Sequence, residues 1–160
     1  MNRIKLIIED SRFKDALCQV NELEQHRIFC RHGVHHLLDV ARIAWIYILE
    51  QGLDFDKSVV YAAGLLHDIA KYRQYTEKLP HHIGSAQLAQ EILVDAGYTE
   101  AEIELITSAI LSHRKLSTKD ETSLNYILYM ADKRSRNCWQ CAANAQCDWP
   151  EAVKNQTVVL

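Results

Sequence analysis

The residues His67-Asp68 are a polar pair within the strongly apolar segment 59–70, and this context marks them as candidates for chemistry. A helix that is apolar all round is buried, so both side chains are expected in the protein interior. An unpaired carboxylate there costs several kcal/mol, so Asp68 must be hydrogen-bonded or bound to a cation. Neighbouring helical side chains do not face each other, which disfavours a simple His–Asp hydrogen bond. The pair therefore predicts a metal ion at the edge of this helix.

Further histidines and one aspartate in other segments could complete such a site. His36 lies early in the preceding segment, and Asp132 lies in the apolar last one. The pair His81-His82 begins another segment, and His113 ends the next. Imidazole nitrogens together with carboxylate oxygens suit iron, manganese, zinc or magnesium, whereas the set is too rich in nitrogen for calcium.

Basic residues close to these positions could bind a phosphate group. Lys71 lies one helical turn beyond His67 and is predicted to project from the same side, and Arg114 directly follows His113. Other candidates have a simpler interpretation, as solvated cations or as ordinary surface or core histidines: Lys133, Arg136, His26 and His32.

Three short segments carry a resemblance to a known family. Residues 36–41 read His-Leu-Leu-Asp-Val-Ala, residues 65–71 read Leu-Leu-His-Asp-Ile-Ala-Lys, and residues 129–133 read Tyr-Met-Ala-Asp-Lys. Together they resemble the H…HD…D signature of the HD superfamily of metal-dependent phosphohydrolases, over about residues 30–136. Residues 81–86 and 109–113 also resemble members with a fuller ligand set, among them small hydrolases that cleave dinucleoside tetraphosphates. The G-Y-P element of the related cyclic-dinucleotide phosphodiesterases is missing, which disfavours that substrate.

The resemblance implies a binuclear site and a reaction. The implied ligands are His36, His67, Asp68 and Asp132 for a first metal, and His81 and His113 for a second, with Asp68 bridging. His82 is the rival of His81 for that position. Asp68 and Lys71 would be catalytic, and Lys71 and Arg114 would bind substrate phosphate. The expected activity is hydrolysis of a nucleotide or related small phosphoester by metal-activated water. The alternative is a non-enzymatic metal- or redox-sensing interaction module, but the complete ligand set favours an enzyme.

A second group of potential metal ligands lies near the C-terminus, where Cys138 and Cys141 form a Cys-x-x-Cys pair that Cys147 follows. Such a pair is the usual half of a thiolate metal site. Cys30 is expected as the fourth ligand, because the helices that follow it and precede Cys138 must meet at the His/Asp site. The sequence allows three interpretations of these cysteines: a structural zinc site, an iron–sulfur cluster or reduced free thiols. Cys18 is predicted to be a buried apolar residue.

These residues are positioned by a succession of predicted helices. They cover about residues 1–9, 11–24 with Ser11 as cap, 34–50, 56–70 with Asp56 as cap, 80–97, 99–113 with a Thr99–Glu102 capping box, and 121–138. No window shows sustained strand alternation, and Gly and Pro are few, at 5 and 2. The chain is therefore predicted to be one all-α domain over residues 1–160, a compact helical bundle, with a cysteine-containing tail over residues 137–160 packed on it. The resemblance given above implies that this domain is of the HD type.

Composition limits the function classes. The 160 residues are 48% hydrophobic and 24% charged, as in globular proteins. A net charge of -3 argues against broad binding to nucleic acid or anionic membranes. No apolar run approaches the roughly 20 residues that span a bilayer, and the N-terminal segment lacks a signal-peptide cleavage site. We expect a cytoplasmic protein with a small phosphorylated substrate; the oligomeric state stays open.

Overall fold

The computed structural model describes residues 2–115 and 118–159, which fold as an all-helical bundle. Within these ranges no strand is present, which confirms the predicted fold class. The α-helices of the described chain are α1 Asn2–Glu9, α2 Ser11–Leu23, α3 Val34–Glu50, α4 Lys57–Leu66, α5 Lys71–Thr76, α6 His81–Asp95, α7 Glu100–Ser112 and α8 Leu124–Arg134.

Helix α4 lies at the centre of the bundle, as its apolar sequence predicts. It packs against α1, α3, α6, α7 and α8, and residues 58–60 and 62–66 are buried. At the crossing with α3, a Cβ atom on Gly64 would lie 2.6 Å from the Cα atom of Ala41. Only glycine permits this approach, which brings the end of α4, next to His67, against the middle of α3, five residues after His36.

Helix caps account for several boundaries. The predicted caps of α4 and α7 are confirmed, because Asp56 accepts a backbone hydrogen bond and Thr99 and Glu102 form a capping box. Helix α2 is capped by Asp10 and not by Ser11, since the Asp10 carboxylate accepts a backbone N–H of the first turn at 2.7 Å.

The sequence predicts one continuous helix over residues 56–70, but the structure shows a break within this segment. Helix α4 ends at Leu66, and residues 67–70 form a turn before α5. The hydroxyl of Ser85 in α6 accepts a hydrogen bond from Ala70 N at 3.1 Å, and Lys71 N donates to Asp68 O at 3.0 Å. The N–H of Ala70 is thus bonded to a side chain of α6 and not to a carbonyl of α4, and the chain changes direction at residues 67–70. Asp68 consequently lies in the turn, and Lys71 begins α5.

The last helix is also shorter than the predicted 121–138. Ser123 caps α8 at its start, and the helix ends at Arg134. The side-chain amide of Asn155 donates to the carbonyls of Lys133 at 2.9 Å and Arg136 at 2.7 Å. The carbonyls at the end of α8 are therefore satisfied by the tail and not by further helical turns.

The described tail forms three 3₁₀ turns, Cys138–Gln140, Asn144–Gln146 and Glu151–Val153. The prediction for Cys18 is wrong, because its side chain is exposed. Helix α2 turns Phe13, Ala16 and Val20 into the core, and Cys18 lies on the opposite face. Among the helices of the described chain, none has both the length and the hydropathy needed to cross a membrane.

Candidate metal centre

Four of the predicted ligands converge where α3, α4 and α8 meet. One donor atom from each of His36, His67, Asp68 and Asp132 lies within 4.8 Å of the others, and all four residues are buried. Nε2 of His36 lies 3.2 Å from Nε2 of His67 and 3.3 Å from Oδ1 of Asp132. Nε2 of His67 lies 3.4 Å from Oδ2 of Asp68. A group of two imidazoles and two carboxylates in this arrangement could hold a divalent cation.

A second group shares Asp68 with the first. Donor atoms of Asp68, His81 and His113 lie within 4.8 Å of one another, and these residues are also buried. Oδ1 of Asp68 lies 3.2 Å from Nε2 of His81 and 3.5 Å from Nε2 of His113. Since Oδ2 faces the first group, each oxygen of the carboxylate faces a different set of ligands.

The histidines are oriented by hydrogen bonds at their other ring nitrogen. In each case an oxygen lies next to Nδ1: Gly64 O at 2.8 Å for His67, Ile110 O at 2.6 Å for His113, Ser135 Oγ at 3.1 Å for His36 and Gln74 Oε1 at 2.5 Å for His81. These contacts favour the tautomer in which Nδ1 carries the proton and Nε2 faces the site, as in protein metal centres. Two cations also contact the rings, because Nη2 of Arg136 lies 3.0 Å from Nε2 of His36 and Nζ of Lys71 lies 3.2 Å from Nδ1 of His81.

The charges in the site favour a bound cation. Oδ1 of Asp68 is buried with no hydrogen-bond partner, which is costly unless positive charge lies nearby. Burial alone would raise the pKa of Asp68, but the imidazoles, that of His67 first, hold it well below its ordinary value. Burial alone would lower the pKa of His67, but Asp68 and Asp132 raise it to about 9. The residues present therefore fit divalent metal ions.

The structure distinguishes His81 from its neighbour His82. His81 faces Asp68, whereas His82 belongs to neither group, and its Nδ1 is buried without a hydrogen-bond partner. Burial lowers the pKa of His81 to about 3, so the ring is neutral, as a metal ligand must be.

A cavity of about 650 Å³ opens beside the two groups. Lys71 and Arg114 line this cavity, and burial lowers the pKa of the Lys71 ammonium. Lys133 and Arg136, whose simplest interpretation was a solvated charge, line it too and form ion pairs with Asp132. The cavity next to the His/Asp groups is therefore positively charged.

His32 is a residue of the site that sequence reasoning set aside. It lines the same cavity, and its Nε2 lies 3.7 Å from Oδ2 of Asp68. Its Nδ1 donates to Glu24 at 2.6 Å, and Glu24 also accepts from the hydroxyl of Tyr75. Burial would raise the pKa of Glu24, but these hydrogen bonds, with the nearby His32, lower it to about 2. No local pattern connects these residues, because Tyr75 lies 51 positions from Glu24.

The predicted cysteine ligands lie around a separate cavity of about 230 Å³, which Cys30, Cys138, Cys141 and Cys147 all line. None of them is in a disulfide. Cys18 is not among the residues of this cavity.

The chain matches the HD domain family over residues 33–137 and belongs to that family, whose members are generally hydrolases. It is 40% identical over 157 residues to an uncharacterized protein of Clostridium beijerinckii (strain ATCC 51743 / NCIMB 8052), a match that covers 97% of each chain. It is also 28% identical over 113 residues to Ribonuclease Y of Lawsonia intracellularis (strain PHE/MN1-00). That match covers 71% of this chain but 20% of the ribonuclease. No solved structure matches the chain at the level of significance that these two relatives reach.

Proposed function

We propose that the protein is a metal-dependent phosphohydrolase that binds two divalent ions and acts on a nucleotide or a related small phosphoester. The observation that carries the proposal is the position of Asp68, whose two oxygens face separate groups of ligands. Its buried Oδ1, which lacks a hydrogen-bond partner, supports a bound cation at that oxygen. Membership of the HD domain family supports hydrolysis as the reaction.

The ligand roles follow from the two groups. One ion would be held by His36, His67, Asp68 and Asp132, and the other by Asp68, His81 and His113. Ions bound there would lower the pKa of a water molecule and neutralise negative charge on phosphoryl oxygens.

Two cations of the cavity are suited to hold the phosphate of the substrate. Lys71 and Arg114 line the cavity beside His81 and His113. A lysine ammonium attracts phosphate and repels metal ions, so Lys71 is better suited to substrate than to the metals. Its burial excludes water, which strengthens its attraction for a phosphate oxygen.

His32 is positioned to move a proton. Glu24 holds the hydrogen of Nδ1, so Nε2 is directed towards Asp68 and the cavity. An imidazole in this orientation can accept a proton at Nε2 or return it to a leaving oxygen.

The lining of the cavity favours a substrate with an aromatic group. Tyr126, Tyr129 and Trp149 line the same cavity as the cations. Aromatic side chains can stack on a nucleobase, while the cations bind the phosphates. The cavity of about 650 Å³ is of the size that small-molecule sites have.

The test combines metal analysis with a substrate panel. Protein purified without chelators is analysed for metals and assayed with added Mn²⁺ or Fe²⁺ against nucleotides, dinucleoside polyphosphates and a short oligoribonucleotide. The oligoribonucleotide is included because of the limited similarity to Ribonuclease Y. We expect about two more ions per chain in the wild type than in Asp68→Ala, and turnover of a small nucleotide by the wild type alone. A metal-loaded protein that turns over nothing in the panel would instead favour the sensing module.

A further inference from the structure

The cavity lined by cysteines brings together two distant parts of the chain. Cys30 lies just before α3, whereas Cys138, Cys141 and Cys147 lie in the tail after α8. Hydrogen bonds fix the segment around Cys30, because Arg27 Nε donates to Cys30 O at 2.9 Å and Arg136 Nη1 donates to Arg31 O at 3.3 Å. The second bond ties this segment to the end of α8.

The short turns of the tail place Cys138, Cys141 and Cys147 on the side that lines the cavity. Cys138 begins a 3₁₀ turn and Cys141 follows it, with Cys141 N donating to Cys138 O at 3.2 Å. Residues three apart in a 3₁₀ turn lie on the same side, so both sulfurs face the cavity. Cys147 follows the next turn in the same manner, with its N–H bonded to Asn144 O at 3.2 Å.

The charges around the cavity fit a negatively charged centre. Four thiolates around a divalent ion carry a net charge of about −2. Three cations and one acid line this cavity: Arg31, Arg136, Lys154 and Asp39. The Lys154 side chain is only 6% exposed, and it is held in place by a hydrogen bond to Asn144 O at 2.9 Å.

The tail has little apolar surface with which to hold itself on the bundle. In its described part, the buried apolar side chains are Cys138 and Ala143. Yet the tail contributes Trp149, Pro150 and Val153 to the wall of the large cavity beside Asp68. A link between the tail and the bundle would hold that wall in place.

We propose that Cys30, Cys138, Cys141 and Cys147 bind one zinc ion as a tetrathiolate site that fixes the tail as a wall of the large cavity. In the described chain no three of these sulfurs lie mutually within 4.8 Å. Sulfurs bound at about 2.3 Å to one zinc ion are about 3.8 Å apart, so the two short turns close on the ion together with Cys30.

The site is tested first on the wild-type chain, without variants. Alkylation by iodoacetamide is followed for each cysteine by mass spectrometry, after chelation and after the return of Zn²⁺. We expect zinc to slow alkylation of the four cysteines at least about tenfold, because a metal-bound thiolate is a poor nucleophile, while exposed Cys18 reacts equally in both states. Equal rates with and without zinc would overturn the proposal in favour of free thiols. Iron and sulfide bound in the purified protein would also overturn it, in favour of a cluster.

A second measurement separates this site from the His/Asp centre. In Asp68→Ala, Co²⁺ should give the intense near-ultraviolet band of thiolate-to-cobalt charge transfer, and Cys138→Ser/Cys141→Ser in the same background should lose it. Cys18→Ser is the matched control and should keep the band. Absence of the band in Asp68→Ala would contradict thiolate ligation, whatever the outcome of the activity assays.

The effect on the cavity wall rests on the proposed function, because it needs a substrate. With a nucleotide substrate, Cys141→Ser should raise KM about tenfold while kcat changes less than twofold, since the wall contacts substrate and not the reacting groups. Unchanged KM together with confirmed zinc protection would overturn the role of the site in holding the wall. If no substrate is found, the alkylation and cobalt experiments still decide the zinc site.

Discussion

Asp68 carries negative charge that both candidate ligand groups share, so its replacement should affect both metal binding and stability. Asp68→Ala is expected to lose the ions of the His/Asp centre and all hydrolysis. Without metal, its free energy of unfolding at neutral pH should fall by up to roughly 3–5 kcal/mol, because the imidazoles stabilise the carboxylate and His67 loses a buried partner. Metal analysis and urea unfolding of the chelated proteins measure the two effects.

The control for this variant is Asp54→Ala, which removes an equal charge at an exposed position. It should keep the metal content and activity of the wild type. Undiminished metal in Asp68→Ala would contradict the bridging role.

Lys71 is expected to act on the substrate and not on the metals. Lys71→Ala should reduce kcat/KM on the order of 100-fold, as the loss of one buried charged donor does, with normal metal content. Lys14→Ala, on the exposed face of α2, should have no effect on either quantity. Loss of metal together with activity in Lys71→Ala would point to a structural role.

At the scale of residues, the sequence predicts which His and Asp side chains come together better than it predicts the residues around them. Residue type and an apolar context suffice to single out His67 and Asp68, because a buried charge needs a partner. The importance of His32 could not be predicted, because it depends on Glu24 and Tyr75, which only the folded chain brings to it. The same holds for Arg136, whose ion pair with Asp132 replaces the expected contact with solvent.

At the scale of helices, the crossing of α3 and α4 determines how close the first ligands lie. Gly64→Ala would place a Cβ atom 2.6 Å from Ala41, whose backbone cannot move without the helix. We expect a loss of roughly 1–3 kcal/mol of stability and weaker metal binding, because His36 and His67 move apart. Thermal unfolding and metal titration test this expectation.

Gly84→Ala in α6 is the matched control for this substitution. Its Cβ would lie 3.3 Å from the flexible Leu79 side chain and farther from its other neighbours. Alanine has a higher helix propensity than glycine, so this variant should be neutral or stabilised by up to about 1 kcal/mol. Equal destabilisation by both substitutions would show that the close crossing is not the cause.

The N-terminal cap of α2 should make stability depend on pH. The hydrogen bond from Arg12 is the main reason that the pKa of Asp10 is lowered. A carboxylate whose pKa is lowered by folding stabilises the protein at pH values above its unfolded-state pKa of about 3.9. This stabilisation is lost as the pH falls through the folded-state pKa. Asp10→Asn keeps a capping oxygen but removes the charge. It should be less stable than the wild type at pH values near neutral, and the difference should shrink at pH of about 3 and below. A constant difference in urea unfolding across this range would contradict the assignment.

Most helices and caps follow from local sequence, but the break after α4 does not. Apolar periodicity and capping residues specify α3, α4 and α7, since those interactions lie within a few positions of one another. The turn at residues 67–70 depends on Ser85, which is 15 positions from its partner Ala70. The tail has no periodic pattern at all, and its position depends on Asn155 and other contacts with the end of α8.

At the scale of the whole molecule, the candidate centre joins parts of the fold that are far apart in sequence. Its ligands come from α3, the turn after α4, α6, the end of α7 and α8, so a bound ion links most of the bundle. The unfolded chain cannot present these ligands together, so metal binding should stabilise the folded state as a whole.

Manganese should therefore raise the melting temperature of the wild-type protein. At about 100 times Kd the gain is about 2.7 kcal/mol, which for a chain of this size is roughly 5–10 °C in Tm. Manganese prefers nitrogen and oxygen ligands to thiolates, so this shift reports the His/Asp centre and not the cysteines. Asp68→Ala should show no shift, whereas Asp54→Ala and Cys18→Ser should shift like the wild type. Differential scanning fluorimetry across a manganese titration measures the effect, and an equal shift in Asp68→Ala would place the stabilising ion elsewhere.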